Sequence, residues 1–181
     1  MNIGLPRHVV LTGAPGAGKT TLLNAAAAAG YATSPEVARL LLQQPGGMVL
    51  REGDPLGFAE AMLEAHAREL EAAAAASGPV LFDRGFPDVV GFLDVSGLPV
   101  PKSVDAACRR FRYHGPVFRA PAWAAIYRQD HERIQSWDQA VASDQAVTAA
   151  WRRYGYAVVD LPLVGVAERL AFIADRLQPV A

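Results

Sequence analysis

The stretch that decides the fold is HVVLTGAPGAGKTTLLN, at residues 8–24. Within it, GAPGAGKT at residues 13–20 matches the pattern G-x-x-x-x-G-K-[ST] of a phosphate-binding loop, the P-loop. The apolar residues 8–12 predict a strand before the loop, and residues 21–29 predict a helix after it. This strand–loop–helix context separates the match from a glycine-rich turn that binds nothing. The sequence therefore predicts that the protein binds a nucleoside triphosphate.

The residue types in the loop suit polyphosphate. Glycines let successive backbone N–H groups point at an anion, and the N-terminus of the following helix adds the positive end of its dipole. Lys19 can reach the β- and γ-phosphates, and the Thr20 hydroxyl can ligate Mg²⁺. We expect the nucleotide to be bound by Gly13, Ala14, Pro15, Gly16, Ala17, Gly18, Lys19, Thr20 and Thr21.

Composition limits the remaining possibilities. The chain has 181 residues, enough for one domain spanning 1–181, and 51% of them are apolar. A net charge of −1 gives no basic field for nucleic acid, and no long apolar run predicts a membrane span. Cys108 is the single cysteine, so an internal disulfide is excluded, and residues 1–6 do not have the pattern that predicts a signal peptide. We expect a cytoplasmic protein, monomeric or homodimeric.

Strand and helix signals alternate along the chain. Five apolar segments predict strands at 8–12, 31–33, 80–83, 116–119 and 156–160. Between them, Ser34-Pro35 and Asp54-Pro55 read as helix starts, and further helices are predicted at 87–96, 102–113, 124–142 and 144–153. A last helix carries Val166, Leu170, Ile173 and Leu177 on one face. The pattern predicts an α/β fold of three layers, a parallel sheet with helices on both faces and ligands beyond its carboxyl ends.

A second group of chemical residues is Asp83-Arg84-Gly85, at the end of the third predicted strand. On the same sheet edge as the P-loop, Asp83 can hold the Mg²⁺ shell or accept the proton of an attacking hydroxyl. Arg84 can clamp a phosphate or a substrate anion, and Gly85 lets the backbone approach the ligand. The competing interpretation is a strand-end turn with a surface ion pair.

Two further segments carry candidate substrate residues. Glu36 and Arg39 follow the second predicted strand, although an acidic residue at a helix N-terminus is also favoured by the helix dipole alone. After the fourth strand, Arg128 and Arg133 could close over the triphosphate, but the same residues form i,i+4 and i,i+3 pairs typical of a solvated helix. His66 lies on an apolar helix stripe, and Trp123 lies near an element boundary, so both are interpreted as packing residues.

In four motifs the chain resembles the small bacterial AAA-domain predicted ATPases, which are similar to P-loop nucleoside and nucleotide kinases. The motifs are the P-loop, Pro35-Glu36-Val37-Ala38-Arg39, Asp83-Arg84-Gly85, and the segment 127–137. The resemblance runs from about residue 7 to residue 177. It implies a five-stranded sheet of order 2-3-1-4-5, ATP rather than GTP as donor, and a lid-like segment at about 120–143 bearing Arg128 and Arg133.

The resulting hypothesis is ATP- and Mg²⁺-dependent phosphoryl transfer to a small-molecule acceptor. Lys19, Asp83, Arg128 and Arg133 are the predicted catalytic residues, while Thr20 and Asp83 would hold the metal. Glu36, Arg39 and Arg84 would bind the acceptor. Two alternatives stay open: a stand-alone NTPase or nucleotide-dependent switch acting on a partner protein, and a nucleotide-binding module without catalysis. The sequence does not distinguish the acceptor.

Overall fold

The computed structural model describes residues 8–127 and 136–177. Its strands are β1 His8–Gly13, β2 Ala32–Ser34, β3 Val80–Asp83, β4 Val117–Ala120 and β5 Val158–Asp160. Its helices are α1 Lys19–Ala28, α2 Val37–Gln43, α3 Gly47–Gly53, α4 Pro55–Ala73, α5 Phe86–Val95, α6 Lys102–Arg110, α7 Trp137–Arg153 and α8 Val166–Leu177. Within the described residues, no helix is both long and apolar enough to cross a membrane.

The five strands form one parallel sheet of order β2-β3-β1-β4-β5. The expected fold class and strand order are therefore confirmed. β1 lies at the centre, with Leu11 beside Asp83 of β3 and beside Phe118 of β4. Since the strand order reverses on either side of β1, the crevice at the carboxyl end of β1 is the place where such sheets bind ligands.

Helices cover both faces of the sheet, as the near-continuous apolar strands require. On one face, Leu22 of α1 and Ile173 of α8 pack against Val9 and Leu11. On the other face, helices α4 to α7 surround a core that includes Phe82, Trp151 and the buried Cys108. Asp54 caps α4 as expected, with its carboxylate accepting from the backbone N–H of Gly57 at 2.9 Å.

Several predicted element boundaries are wrong for identifiable reasons. α2 begins at Val37 with Glu36 as N-cap, because Ser34 continues β2 and pairs with β3. α3 was not predicted, since residues 45–47 read as a terminator; Gly46, at φ 81°, instead allows the chain to begin another helix. α6 ends at Arg110, and Tyr113 then turns into the aromatic core against Phe82.

The region after β4 also differs from the expectation. One helix, α7, begins at Trp137 and continues to Arg153, whereas the sequence predicted two helices at 124–142 and 144–153. Its start is fixed by Ser136, whose side chain accepts from the N–H of Gln139 at 3.2 Å. Arg128 and Arg133, and with them most of the predicted lid, lie outside the described residues.

Candidate active site

The P-loop connects β1 to α1 in a conformation that requires glycine. Gly13, Gly16 and Gly18 all have positive φ, of 111°, 78° and 81°. At Gly13 a Cβ atom would lie 2.3 Å from the carbonyl oxygen of Ala120, so the loop also packs against β4. Of the nine residues expected to bind nucleotide, six line the cleft: Pro15, Gly16, Gly18, Lys19, Thr20 and Thr21.

Lys19 lies at the base of this loop and is only 6% exposed. Its Nζ donates to the carbonyl oxygen of Ala14 at 2.7 Å. The pKa of Lys19 is lowered to about 8, mainly by burial and then by the positive charge of Arg84, which together outweigh the opposing effect of Asp83. The ammonium is therefore poorly solvated, and phosphate oxygens would replace water as its partners.

Asp83 ends β3 beside the P-loop and is 3% exposed. Its Oδ1 is fully buried and has no hydrogen-bond partner among the described residues. Burial raises the pKa of Asp83 to about 6; Lys19 lowers it and Glu36 raises it. An unpartnered buried carboxylate oxygen of this kind is unfavourable without a cation or a proton donor.

The residues present fit a magnesium ion. Within residues 8–127 and 136–177, no group of three or more His, Cys, Asp or Glu side chains could hold a metal by itself. Mg²⁺ bound with a nucleotide takes one or two protein oxygens and completes its shell with phosphate oxygens and water. Asp83 Oδ1 and the cleft-lining hydroxyl of Thr20 could supply those oxygens.

Arg84 lies in the left-handed region at φ 71°, which non-glycine residues rarely occupy. Its side chain holds it there. Nε donates to Glu36 at 3.1 Å, and Nη1 donates to Asp88 at 3.0 Å and to the Gly13 carbonyl at 3.2 Å. Such strain persists only where surrounding contacts fix the residue, and it is typical of functional sites.

Glu36 and Arg39 stand at the start of α2, on the same side of the cleft. Burial raises the pKa of Glu36, but Arg84 and Lys19 outweigh it, so the pKa lies below its usual value. Arg39 Nε is 3.9 Å from Glu36 Oε2. The structure thus brings Glu36, Arg39 and Arg84 together with Lys19 along one cleft, as the sequence predicted.

Asp88 is a central residue that the sequence analysis missed. Its carboxylate accepts from Thr12 Oγ1 at 2.6 Å, Trp151 Nε1 at 2.9 Å and the Gly85 N–H at 3.0 Å, in addition to Arg84. An acidic residue three positions after a helix start is a known capping signal, so its place on α5 could have been found. Its bonds to Thr12 and Trp151, 76 and 63 residues away, could not.

Gly85 has a different role from the one expected. A Cβ atom there would lie 2.8 Å from the Tyr113 ring and 2.9 Å from the Trp151 ring. The glycine therefore allows two aromatic side chains to pack against the backbone. Its extended backbone needs no glycine for conformational reasons.

The cleft has a volume of about 810 Å³ and extends in two directions from the P-loop. We name its two ends the donor half and the acceptor half, after the roles that are proposed for them below. The donor half is lined by residues from the segment after β4 and from the β5–α8 connection: Trp123, Ile126, Val164, Gly165, Val166 and Arg169. The other end, the acceptor half, is lined by α2 to α5 and includes Val37, Leu42, Met48, Phe58, Met62, His66, Val89 and Phe92.

Arg169 is a second residue that the sequence analysis missed. It is 2% exposed, lies 5.0 Å from the ring centre of Trp123, and has no carboxylate partner within the described residues. Nη1 donates to the Ala17 carbonyl at 2.8 Å, and Nε donates to the Pro162 carbonyl at 3.0 Å. It joins the last helix to the P-loop across 152 residues of sequence.

The sequence matches the AAA domain family over residues 8–169. That range includes the P-loop, the Asp83–Asp88 region and Arg169. The chain belongs to this family. The expected family resemblance is thereby confirmed, and this AAA domain is a kinase-like P-loop protein in its strand order as well as its motifs.

Solved structures share the fold of this AAA domain. Deoxyadenosine kinase from M. mycoides with bound dATP superposes with a TM-score of 0.72 at 14% identity, covering 94% of this chain and 98% of that one. The same enzyme with bound dCTP gives 0.66 at 15% identity, covering 96% and 100%. NadR in complex with NR gives 0.66 at 15% identity, covering 98% of this chain and 52% of NadR. Among curated proteins, none matches the sequence significantly.

Proposed function

We propose that this AAA domain transfers the γ-phosphoryl group of ATP to a hydroxyl group of a small-molecule acceptor, with Mg²⁺. The observation that carries the proposal is the two-ended cleft. A nucleotide on the P-loop occupies the donor half, and the apolar acceptor half remains beyond Arg84. An enzyme that only hydrolyses ATP needs space for a water molecule and has no use for a second half lined with apolar side chains.

The donor half suits a nucleotide. The base would lie beside Trp123, and the phosphates would follow the P-loop amides toward Lys19, whose ammonium would neutralise charge on the transferring group. Mg²⁺, held by Thr20 and Asp83, would neutralise phosphate charge when bound. Arg128 and Arg133 remain predicted lid residues that would contact the same phosphates.

Two carboxylates could receive the proton of the acceptor hydroxyl. Glu36 is bonded to Arg84, and its lowered pKa makes it a weak base suited to binding the hydroxyl. Asp83, with its pKa raised to about 6, is the stronger base and also the metal candidate. As the acceptor O–H gives up its proton, its oxygen bonds the γ-phosphorus, and the bond from that phosphorus to the β–γ bridging oxygen breaks to release ADP.

The solved structures with this fold suggest a nucleoside-like acceptor. They are described with dATP, dCTP and NR, all of which contain a sugar with hydroxyl groups. We therefore propose nucleosides as the first acceptors to test, with Arg39 and Arg84 contacting the sugar or its substituents.

The direct test is incubation of purified protein with Mg²⁺ and γ-labelled ATP, together with a panel of nucleosides. We expect label in an acceptor product, and hydrolysis with water to be much slower. Efficient ATP hydrolysis with no acceptor product would contradict the proposal and favour the stand-alone NTPase or switch.

A matched pair of variants separates the two carboxylates. We expect Asp83→Asn to weaken binding of ATP in the presence of Mg²⁺ but not of metal-free ATP, because the lost oxygen belongs to the metal shell. Glu36→Gln should leave both ATP affinities unchanged and lower transfer to the acceptor. Equal effects of both variants on both affinities would contradict these roles.

A further inference from the structure

His66 lies in the acceptor half, on the face of α4 that lines the cleft. Phe58, Met62 and His66 follow one another at four-residue intervals, so they form one row along the helix. All three are almost fully buried, at 1%, 5% and 3% exposure. The sequence analysis interpreted His66 as a structural residue, and its burial alone would agree with that interpretation.

Its hydrogen bonding does not agree with a structural role. In the described parts of the chain, neither ring nitrogen of His66 has a hydrogen-bond partner, and neither is among the fully enclosed unpartnered atoms. The small exposed fraction of the side chain therefore includes the nitrogens, and the cleft is the surface that His66 lines. Water or a bound ligand can therefore bond both nitrogens from the cleft, whereas Phe58 and Met62 in the same row offer no hydrogen-bond donor.

The imidazole is uncharged at neutral pH. The pKa of His66 is lowered to about 4, mainly by burial and also by Arg84, although Asp88 and Glu36 have the opposite effect. A neutral imidazole offers one N–H donor and one nitrogen acceptor. Phe58, Val89 and Phe92 line the same half of the cleft and are apolar, so they could contact the faces of a flat ring.

We propose that His66 is a specificity-determining residue that hydrogen-bonds the edge of an uncharged heteroaromatic ring of the acceptor, held in the pocket of Phe58, Val89 and Phe92. This inference rests on the proposed function, since it concerns the acceptor of the same reaction. It extends that function by assigning the contact that recognises the acceptor ring to His66 on α4, whose ring lies 5.7 Å from that of Phe86 at the start of α5.

The test compares His66→Phe, which removes both polar atoms at similar shape, with His66→Gln, which keeps a donor and an acceptor. The probes are adenosine, deoxyadenosine, cytidine, deoxycytidine, thymidine and nicotinamide riboside. Binding is measured by calorimetry with Mg²⁺ and a non-hydrolysable ATP analogue, and transfer is measured with ATP. His114→Phe serves as the matched control, because His114 is exposed and does not line the cleft.

We expect His66→Phe to weaken binding and lower kcat/KM for the best nucleoside about 10- to 100-fold, as for a lost ring-edge hydrogen bond. His66→Gln should recover most of this loss, and the KM for ATP should not change. The melting temperature of His66→Phe should equal or exceed that of the wild type, whereas a structural histidine would lower it.

The remaining outcomes distinguish failure of the role proposed for His66 from failure of the proposed kinase reaction. Wild-type affinity and transfer in His66→Phe would overturn the role of His66, and so would equal losses in the Phe and Gln variants with a lowered melting temperature. If none of the nucleosides binds, the proposal that the acceptor carries an uncharged heteroaromatic ring is wrong. Binding that depends on His66 without any transfer would keep the inference and overturn the proposed kinase reaction.

Discussion

The two halves of the cleft are built differently. The phosphate end of the donor half is made of backbone from residues 13–20, one continuous loop whose shape depends on three glycines with positive φ. The acceptor half is made of side chains from α2, α3, α4 and α5, spread over more than fifty residues. A site made of contiguous backbone can be recognised in a sequence, whereas a site made of distant side chains needs the fold.

The two halves of the cleft also differ in how completely their charged groups are hydrogen-bonded or solvated. Lys19 and Asp83 beside the P-loop are poorly solvated, and burial is the main reason that the pKa of each moves toward neutrality, to about 8 and about 6. Arg84 at the entrance to the acceptor half is instead hydrogen-bonded to Glu36 and Asp88. We infer that Lys19 and Asp83 act on the reacting groups, while the Arg84 network positions the acceptor.

The largest expected effect tests the donor half. Lys19→Ala should lower kcat by about 10³-fold, equivalent to about 4 kcal/mol, because the transferring phosphoryl group loses its buried cation. The melting temperature should not fall, since a desolvated charge is removed. Turnover and thermal unfolding measure the two effects, with the exposed Lys102→Ala as control. Turnover retained in Lys19→Ala would contradict the assignment of the P-loop.

The next largest effect tests whether the hydrogen bonds of Asp88 stabilise the structure at the entrance to the acceptor half. Asp88→Ala should lower the free energy of unfolding by about 3 kcal/mol, because Arg84, Thr12 and Trp151 lose a shared buried acceptor. Chemical denaturation measures the change. The control on the same helix is Asp94→Ala, whose partner Arg153 is 49% exposed, and its effect should stay below about 1 kcal/mol. Similar losses in both variants would show that Asp88 has no special role.

The third prediction uses pH to separate the two reactive groups. Because kcat/KM for ATP reports the free enzyme, it should fall below about pH 6 as Asp83 is protonated, and above about pH 8 as Lys19 loses its proton. The effect of Asp83 on stability depends on pH in the opposite way to its effect on kcat/KM. Its folded pKa is raised, so its contribution to stability is complete below the unfolded value of 3.8 and is lost as the pH rises through about 6.

Asp83→Asn supplies the check on this profile. The acidic limb should disappear in this variant while the alkaline limb remains. An unchanged acidic limb would assign it to a different carboxylate, and Glu36→Gln would then be the variant to measure.

The smallest effect tests the end of the donor half that would hold the nucleotide base. Trp123→Ala should raise the KM for ATP about fivefold, or about 1 kcal/mol, through loss of an aromatic surface for the base. The kcat should change little, because contact with the base would contribute equally to the ground state and the transition state. Steady-state kinetics with ATP gives both values. An unchanged KM would mean that the base does not lie on Trp123.

Most of the fold could be predicted from the sequence, because each signal was local. The bounds of β3 were predicted as observed, since Gly78-Pro79 and the strand-ending Asp83 mark a short apolar run. The helix after β4 was misplaced, because the polar segment at 127–137 has helical charge spacing and α7 begins only where Ser136 caps it. Local spacing indicated a possible helix but could not indicate which start is used.

The site could be predicted only in part, for a related reason. Lys19 was predicted from the P-loop motif, Asp83 from its place at the end of an apolar strand, and Glu36 from its place just after one. His66 and Asp88 lie inside helices and look like packing or capping residues until their neighbours are known. Arg169 contacts the P-loop from the last helix, and its sequence context carries no sign of that contact.

The bond from Arg169 to Ala17 has a consequence for the order of events during synthesis. A nascent chain on the ribosome that extends only as far as β5 contains the entire P-loop motif but not the guanidinium that fixes the loop carbonyl. Only when α8 emerges can the first loop be held by the last helix. Competence to take up nucleotide should therefore arise only after α8 has been synthesised, and a chain that stalls earlier would present the motif without its support.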